Sequence, residues 1–239
     1  MTNKFLILLA LPFLFPVAGW SEVPSLKIEY SYALDIFCPE KVDPENLTQS
    51  QLKLIPKIPV YRIELLSKIN WFQTQWNQQG TPLLSQTVAL IGKSFPMKDI
   101  QAAVFLCPRF PFMGTPLAFN VISYLDSAAK DIEGLGGKPI PVFFFVSTAF
   151  HEILHKYINS ILEKNPSVIL SNMKDTELYM AHLHLFALQK NVFESLGLAY
   201  LLPQIQQIEA LHGPDYVRAW QAVHSDVQLY NSLIAELKI

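Results

Sequence analysis

The stretch IPVFFFVSTAFHEILHKYINSILEKNP, residues 140–166, constrains this chain more than any other. An apolar, strand-like run extends to Val146. Ser147 and Thr148 then read as a helix cap, and the helix that follows closes at Lys164, Asn165 and Pro166. Inside that helix stand His151, Glu152 and His155. Positions i and i+4 share a helix face, so the two imidazoles address one point about a turn apart, with the glutamate on an adjacent side. That pattern suits a divalent cation and a carboxylate that holds a water beside it. A catalytic zinc takes three protein ligands and leaves a fourth position for water, so a third ligand has to come from elsewhere.

The next helix starts near Asp175 and runs TELYMAHLHLFALQKNVFESLG to Gly197. If it folds back antiparallel through NPSVILSNMK, the level opposite His151 and His155 falls near residues 182–187. His182 and His184 stand at that height, and Glu177 sits closer to the turn. On a helical wheel His182 lies among Leu178, Leu185, Phe186, Gln189 and Phe193, the arc expected to face the core. His184 shares another stripe with Glu177, Asn191 and Ser195. His182 is therefore the first choice for third ligand, followed by His184 and then Glu177.

Export is expected from the other end of the chain. Lys4 is followed by an apolar run from Phe5 to about Ala18 and by small residues at Ala18, Gly19 and Ser21. This is the layout of a secretory signal peptide over residues 1–21, with cleavage near Gly19 to Ser21 and a secreted or periplasmic destination. Pro12 and Pro16 break the run, which is short for a membrane span, and no later run reaches spanning length. In an oxidising compartment Cys38 and Cys107 suit one structural disulfide, with two buried thiols as the alternative. Asn46-Leu47-Thr48 is a glycosylation sequon. The formal charge is −2 and the basic residues form no cluster, which argues against a nucleic-acid partner.

The remaining pattern predicts an α+β fold over residues 22–239: an N-terminal mixed part to about residue 138 with a small mixed sheet, and a helical part over 139–239 that carries the site. SLKIEYSYALDIF (25–37) reads as a first strand, and DIQAAVFLCP and PLAFNVISYL as neighbouring strands. VYRIELLSKINWFQTQWNQQG reads as a helix with Ile63, Leu66, Ile69, Trp71 and Phe72 toward one side and Gly80 as its stop, and PLLSQTVALIGK as a shorter helix. DIEGLGGKP is a loop, not a phosphate cradle. Two helices opened by Pro203 and Pro214 complete the chain, with His212 and His224 as structural or surface residues.

His151-Glu152-Ile153-Leu154-His155 resembles the zinc-binding helix of the zincin metallopeptidases, closely over those five residues and loosely over 139–197. The metzincin extension, a Gly and a third His soon after His155, is missing, and so is the Asn-Glu pair of thermolysin-like enzymes, of which Thr176-Glu177 is a partial echo. The resemblance implies Zn2+ as cofactor on His151 and His155, Glu152 as general base, and a peptide or protein substrate. A donor for the tetrahedral oxyanion is sought among His184, Tyr157, Tyr179 and Tyr200. The expectation is thus an exported zinc-dependent peptidase whose substrate pairs along an exposed strand edge. The alternatives are a non-catalytic zincin-like zinc-binding or scaffold protein, and an exported helical domain with an accidental motif.

Overall fold

The computed structural model describes residues 23–36, 48–107 and 116–239. The expected signal peptide, Cys38 and the Asn of the sequon lie outside the described residues. Strand β1 (Ser25–Tyr30), strand β2 (Asp99–Phe105) and strand β3 (Leu117–Asn120) form one sheet in the order β1-β2-β3. Both pairs are parallel, with Ile28 opposite Ala102 and Val104 opposite Phe119. The sheet is therefore parallel and not mixed. Parallel neighbours need a long crossover, and between β1 and β2 this is supplied by helix α1 (Ile58–Gln75) and helix α2 (Thr81–Ile91).

In β1 Leu26 and Ile28 are buried while Ser25, Lys27 and Glu29 are exposed, the period-2 pattern of a strand with one wet face. Its outer edge is closed by a side chain. Gln73 of α1 accepts from the Ile28 N–H at 2.9 Å and donates to the Leu26 carbonyl at 2.8 Å, much as a neighbouring strand would. The predicted strand 25–37 is shorter than expected, since Tyr32–Ile36 is a helical turn. Asp35 in that turn accepts from the N–H groups of Leu106 and Cys107, tying it to the end of β2. Cys107 is disulfide-bonded, and the sequence has two cysteines.

Helix α1 buries the expected side only in part: Phe72 is in the core and Ile69 packs against it, but Ile63, Leu66 and Trp71 are exposed. Tyr61, Leu65 and Phe72 are in the core, whereas Ile63 is 75% and Leu66 56% exposed. Apolar residues are spread around this helix, so periodicity could not select the face. The contacts of Phe72 with Tyr124 and Phe145 did. Nor does Gly80 stop the helix. The chain continues through a wider turn (Trp76–Gly80) into α2, and a methyl group at Gly80 would overlap the buried Trp76 ring. The stop is Gly92, at φ 78°.

The informative segment forms one helix, α3 (Phe143–Leu162). Residues 143–146, expected as a strand, are its first turn, and Thr148 is inside it, bonding the Phe144 carbonyl at 2.9 Å. Pro139 and Pro141 explain the difference: neither can donate to a ladder, and proline suits the entry to a helix. Helix α4 (Glu177–Ser195) is capped by Thr176, whose hydroxyl accepts from Tyr179 N–H at 3.2 Å, and it ends before Gly197 at φ 72°. Ring contacts pair Phe143 with Phe193, His151 with Phe186, and His155 with His182, so α4 runs antiparallel to α3.

Three helices close the chain rather than two: α5 (Leu202–Glu209), α6 (Pro214–Ser225) and α7 (Val227–Lys238). Asp226 splits the last pair by capping α7 through the Leu229 N–H at 2.9 Å. The architecture is mixed α/β, mostly helical, and one buried apolar cluster runs from Leu26 to Leu237. Among the described residues no helix is long and apolar enough to cross a membrane.

Candidate metal centre

Helix α3 presents His151 and His155 one turn apart, and α4 brings His182 against both. The three ligand nitrogens all lie within 4.8 Å of one another, and the Nε2 atoms of His151 and His155 are 3.1 Å apart. Tetrahedral zinc with Zn–N bonds of about 2.0–2.1 Å holds its ligand nitrogens about 3.3 Å apart, a spacing that the His151–His155 pair matches and that the full set, within 4.8 Å, approaches. His182 Nδ1 donates to the Leu178 carbonyl at 2.6 Å, and its buried Nε2 has no hydrogen-bond partner. Leaving such an atom unpaired is costly, and a cation would satisfy it. The residues present therefore fit a divalent metal with three imidazole ligands.

Charge agrees with that donor set. Burial, reinforced by His212, pushes the His151 pKa down to about 3. Burial with His151 and His182 nearby pushes His155 down to about 2, and burial lowers His182 to about 4. All three imidazoles are neutral near pH 7, the state in which they offer a lone pair. Glu152 lies half-buried beside them. Burial and the charge of Glu209 push its carboxyl up to about 7.

Three residues of the later helices complete the surroundings. Glu209, at the end of α5, is buried and takes the Nδ1 side of His151 at 3.1 Å. Tyr216 of α6 packs on His182 with ring centroids 4.1 Å apart and stacks over His151 at 6.2 Å. His212 also packs on Tyr216, with ring centroids 5.1 Å apart. Burial and the charges of Glu152 and Glu209 push the Tyr216 phenol up to about 12, so it stays a donor. An ion-pair cluster sets the height of Tyr216 relative to His182: Arg218 bonds Asp215 at 2.9 Å and also Asp175, and Thr176 bonds Asp215 at 2.8 Å.

The structure brings His151, His155 and His182 together, keeps Glu152 half-buried on the helix of the first two, and leaves the other candidates apart. His184 is buried on a different side of α4, 2.9 Å from Glu236 of α7. Glu177 is exposed in the first turn of α4. Tyr157 donates to the Lys93 carbonyl at 2.8 Å, Tyr179 packs on Arg218 at 4.6 Å, and Tyr200 is 69% exposed. The β1 edge is closed by Gln73, and a cleft of about 200 Å³ walled by Val217, Trp220 and His224 is lined by none of His151, His155 and His182.

Sequence reasoning missed Glu209 and Tyr216 and set His212 aside. One signal was present: Leu202, Ile205 and Glu209 share the buried face of α5, and a carboxylate on such a face needs donors. Compared with protein families, with curated proteins and with solved structures, the chain matches none.

Proposed function

We propose that this chain is an exported zinc-dependent metallopeptidase, in which His151, His155 and His182 hold the metal and Glu152 is the general base. The observation that carries the reading is the convergence of three neutral imidazoles, one with an unpaired buried Nε2, beside a carboxylate whose pKa is raised toward neutrality.

Zinc bound there supplies Lewis acidity, which acidifies water and polarises a carbonyl. Glu152 accepts the proton from the attacking water and later delivers it to the leaving amine. A carboxylate with a pKa near the working pH suits both transfers, although the positive charge of a metal would draw that pKa down. Tyr216, with His212 behind it, is the group best placed to donate to the oxyanion, replacing the candidates His184, Tyr157, Tyr179 and Tyr200. His155, Glu152, Tyr216 and His212 are all partly exposed, so the approach for a peptide lies on their side. The signal-like N-terminus supports a secreted or periplasmic setting.

A second reading, a zinc-binding protein without turnover, is favoured by one feature: His151 and His182 are 5% and 2% exposed, and Tyr216 lies across His182. Zinc content and peptide hydrolysis, measured on the same preparation with Glu152→Gln alongside, separate the two. Peptidase activity in the zinc-loaded protein that falls about 10²-fold or more in Glu152→Gln, with zinc retained, supports the enzyme. Zinc bound without any cleavage of a mixed peptide pool supports the binding protein. A protein that holds no zinc sinks both.

A further inference from the structure

We infer that Glu209 is a positioning residue of the metal site, which holds His151 in the tautomer that can bind a cation; the inference rests on the three-histidine reading above. Glu209 enters from α5, 58 residues along the chain from His151. It is 7% exposed, and three donors from three other helices meet its carboxylate. His151 Nδ1 of α3 lies 3.1 Å and Gln189 Nε2 of α4 lies 3.2 Å from Oε1, while Trp220 Nε1 of α6 bonds Oε2. Trp220 is itself held flat against Phe186, with ring centroids 4.3 Å apart and planes 13° apart.

The chemistry follows from the donor count. Trp220 and Gln189 donate to Glu209, and in its ionised form the carboxylate can only accept, so the proton of His151 then sits on Nδ1 and its Nε2 presents a lone pair toward His155 Nε2. The negative charge also raises the basicity of the ring as a ligand. His182 receives the same orientation from a main-chain carbonyl, that of Leu178. For His151 the acceptor at Nδ1 among the described residues is Glu209.

An amide at this position does the same in only one of its two orientations, the one that turns its NH2 group toward the Trp220 N–H. Glutamine has one acceptor oxygen, and two donors, His151 Nδ1–H and Trp220 Nε1–H, approach different oxygens of the carboxylate. If the amide oxygen faces the indole, the amide nitrogen faces His151 and drives its proton to Nε2, the nitrogen the metal needs. A purely structural hub would instead respond by losing stability, with no change in the environment of a bound metal.

The test is zinc affinity by chelator competition on the full chain, together with the visible spectrum of the cobalt-substituted protein and thermal unfolding of the metal-free protein. Glu209→Gln is expected to weaken zinc binding about 10–100-fold and to shift the cobalt bands. Trp220→Phe removes one donor from the carboxylate but leaves the His151 bond, and is expected to weaken binding by a smaller factor. Glu209→Asp, whose shorter side chain draws the carboxylate back from His151 Nδ1, carries the test if Glu209→Gln does not fold. Wild-type zinc affinity and an unchanged cobalt spectrum in the folded variants would overturn the role of Glu209 and leave the three-histidine site standing. A wild-type protein that binds neither ion would overturn the site itself.

Discussion

The Nε2 atoms of His151 and His155 face each other across 3.1 Å, one helical turn apart, and the unpaired Nε2 of His182 completes a set of nitrogens spanning no more than 4.8 Å. Two lone pairs cannot face at that distance. Either one ring carries its proton there and donates to the other, or a cation sits between them. Because Nδ1 of His151 and Nδ1 of His182 are each engaged by an acceptor, the second arrangement also satisfies the third ring.

Ligand identity can be read from metal content. His151→Ala, His155→Ala and His182→Ala are each expected to lower zinc affinity by more than about 100-fold, since a ligand is worth more than its supporting partner. His184→Ala should keep zinc near wild-type occupancy while lowering stability, because His184 bonds Glu236 and not the cluster. Elemental analysis after dialysis against buffer checks this. Loss of zinc from His184→Ala with retention in His182→Ala would reverse the assignment of the third ligand.

Tyr216 offers a kinetic readout if the protein turns over peptide. Tyr216→Phe keeps the ring that packs on His182 but removes the phenol proton, so kcat should fall roughly 10²–10³-fold with little change in KM. An unchanged kcat would leave Tyr216 as packing alone.

Acid stability should depend on Glu64 of α1. Burial pushes its pKa up, but hydrogen bonds from Lys68, Ser127 and the Asp126 N–H outweigh it and bring the carboxyl down to about 2. A depressed folded pKa means that the stabilisation is present above the unfolded value, near 4.5, and is lost as pH falls toward 2. Glu64→Gln should therefore cost on the order of 1–2 kcal/mol at neutral pH, allowing for solvent screening. Urea unfolding of the two proteins should converge below about pH 2. A gap that persists there would assign the cost to packing.

The centre was partly legible because its first parts are local. Two histidines and a glutamate within five residues need only the helical period to share a face, and the hairpin from α3 to α4 has few registers, so counting residues from the turn reached His182. The α1 face was not legible, because Ile63 and Leu66 match the period as well as Tyr61 and Leu65 do. Residues 143–146 misled for another reason: a short apolar run is shared by buried strands and buried helices, and only the flanking prolines told them apart.

The sequence by itself determined the helix of His151, Glu152 and His155, the caps and stops of α4, and the strand character of β1 to β3. Each depends on neighbours within about a turn or a strand. Tertiary structure alone decided that the sheet is parallel, that Gln73 closes its edge, and that Glu209, Tyr216 and Trp220 gather behind the histidines. Those outcomes join residues tens of positions apart, and hydrogen-bond satisfaction in a buried site selects them only once the helices have packed.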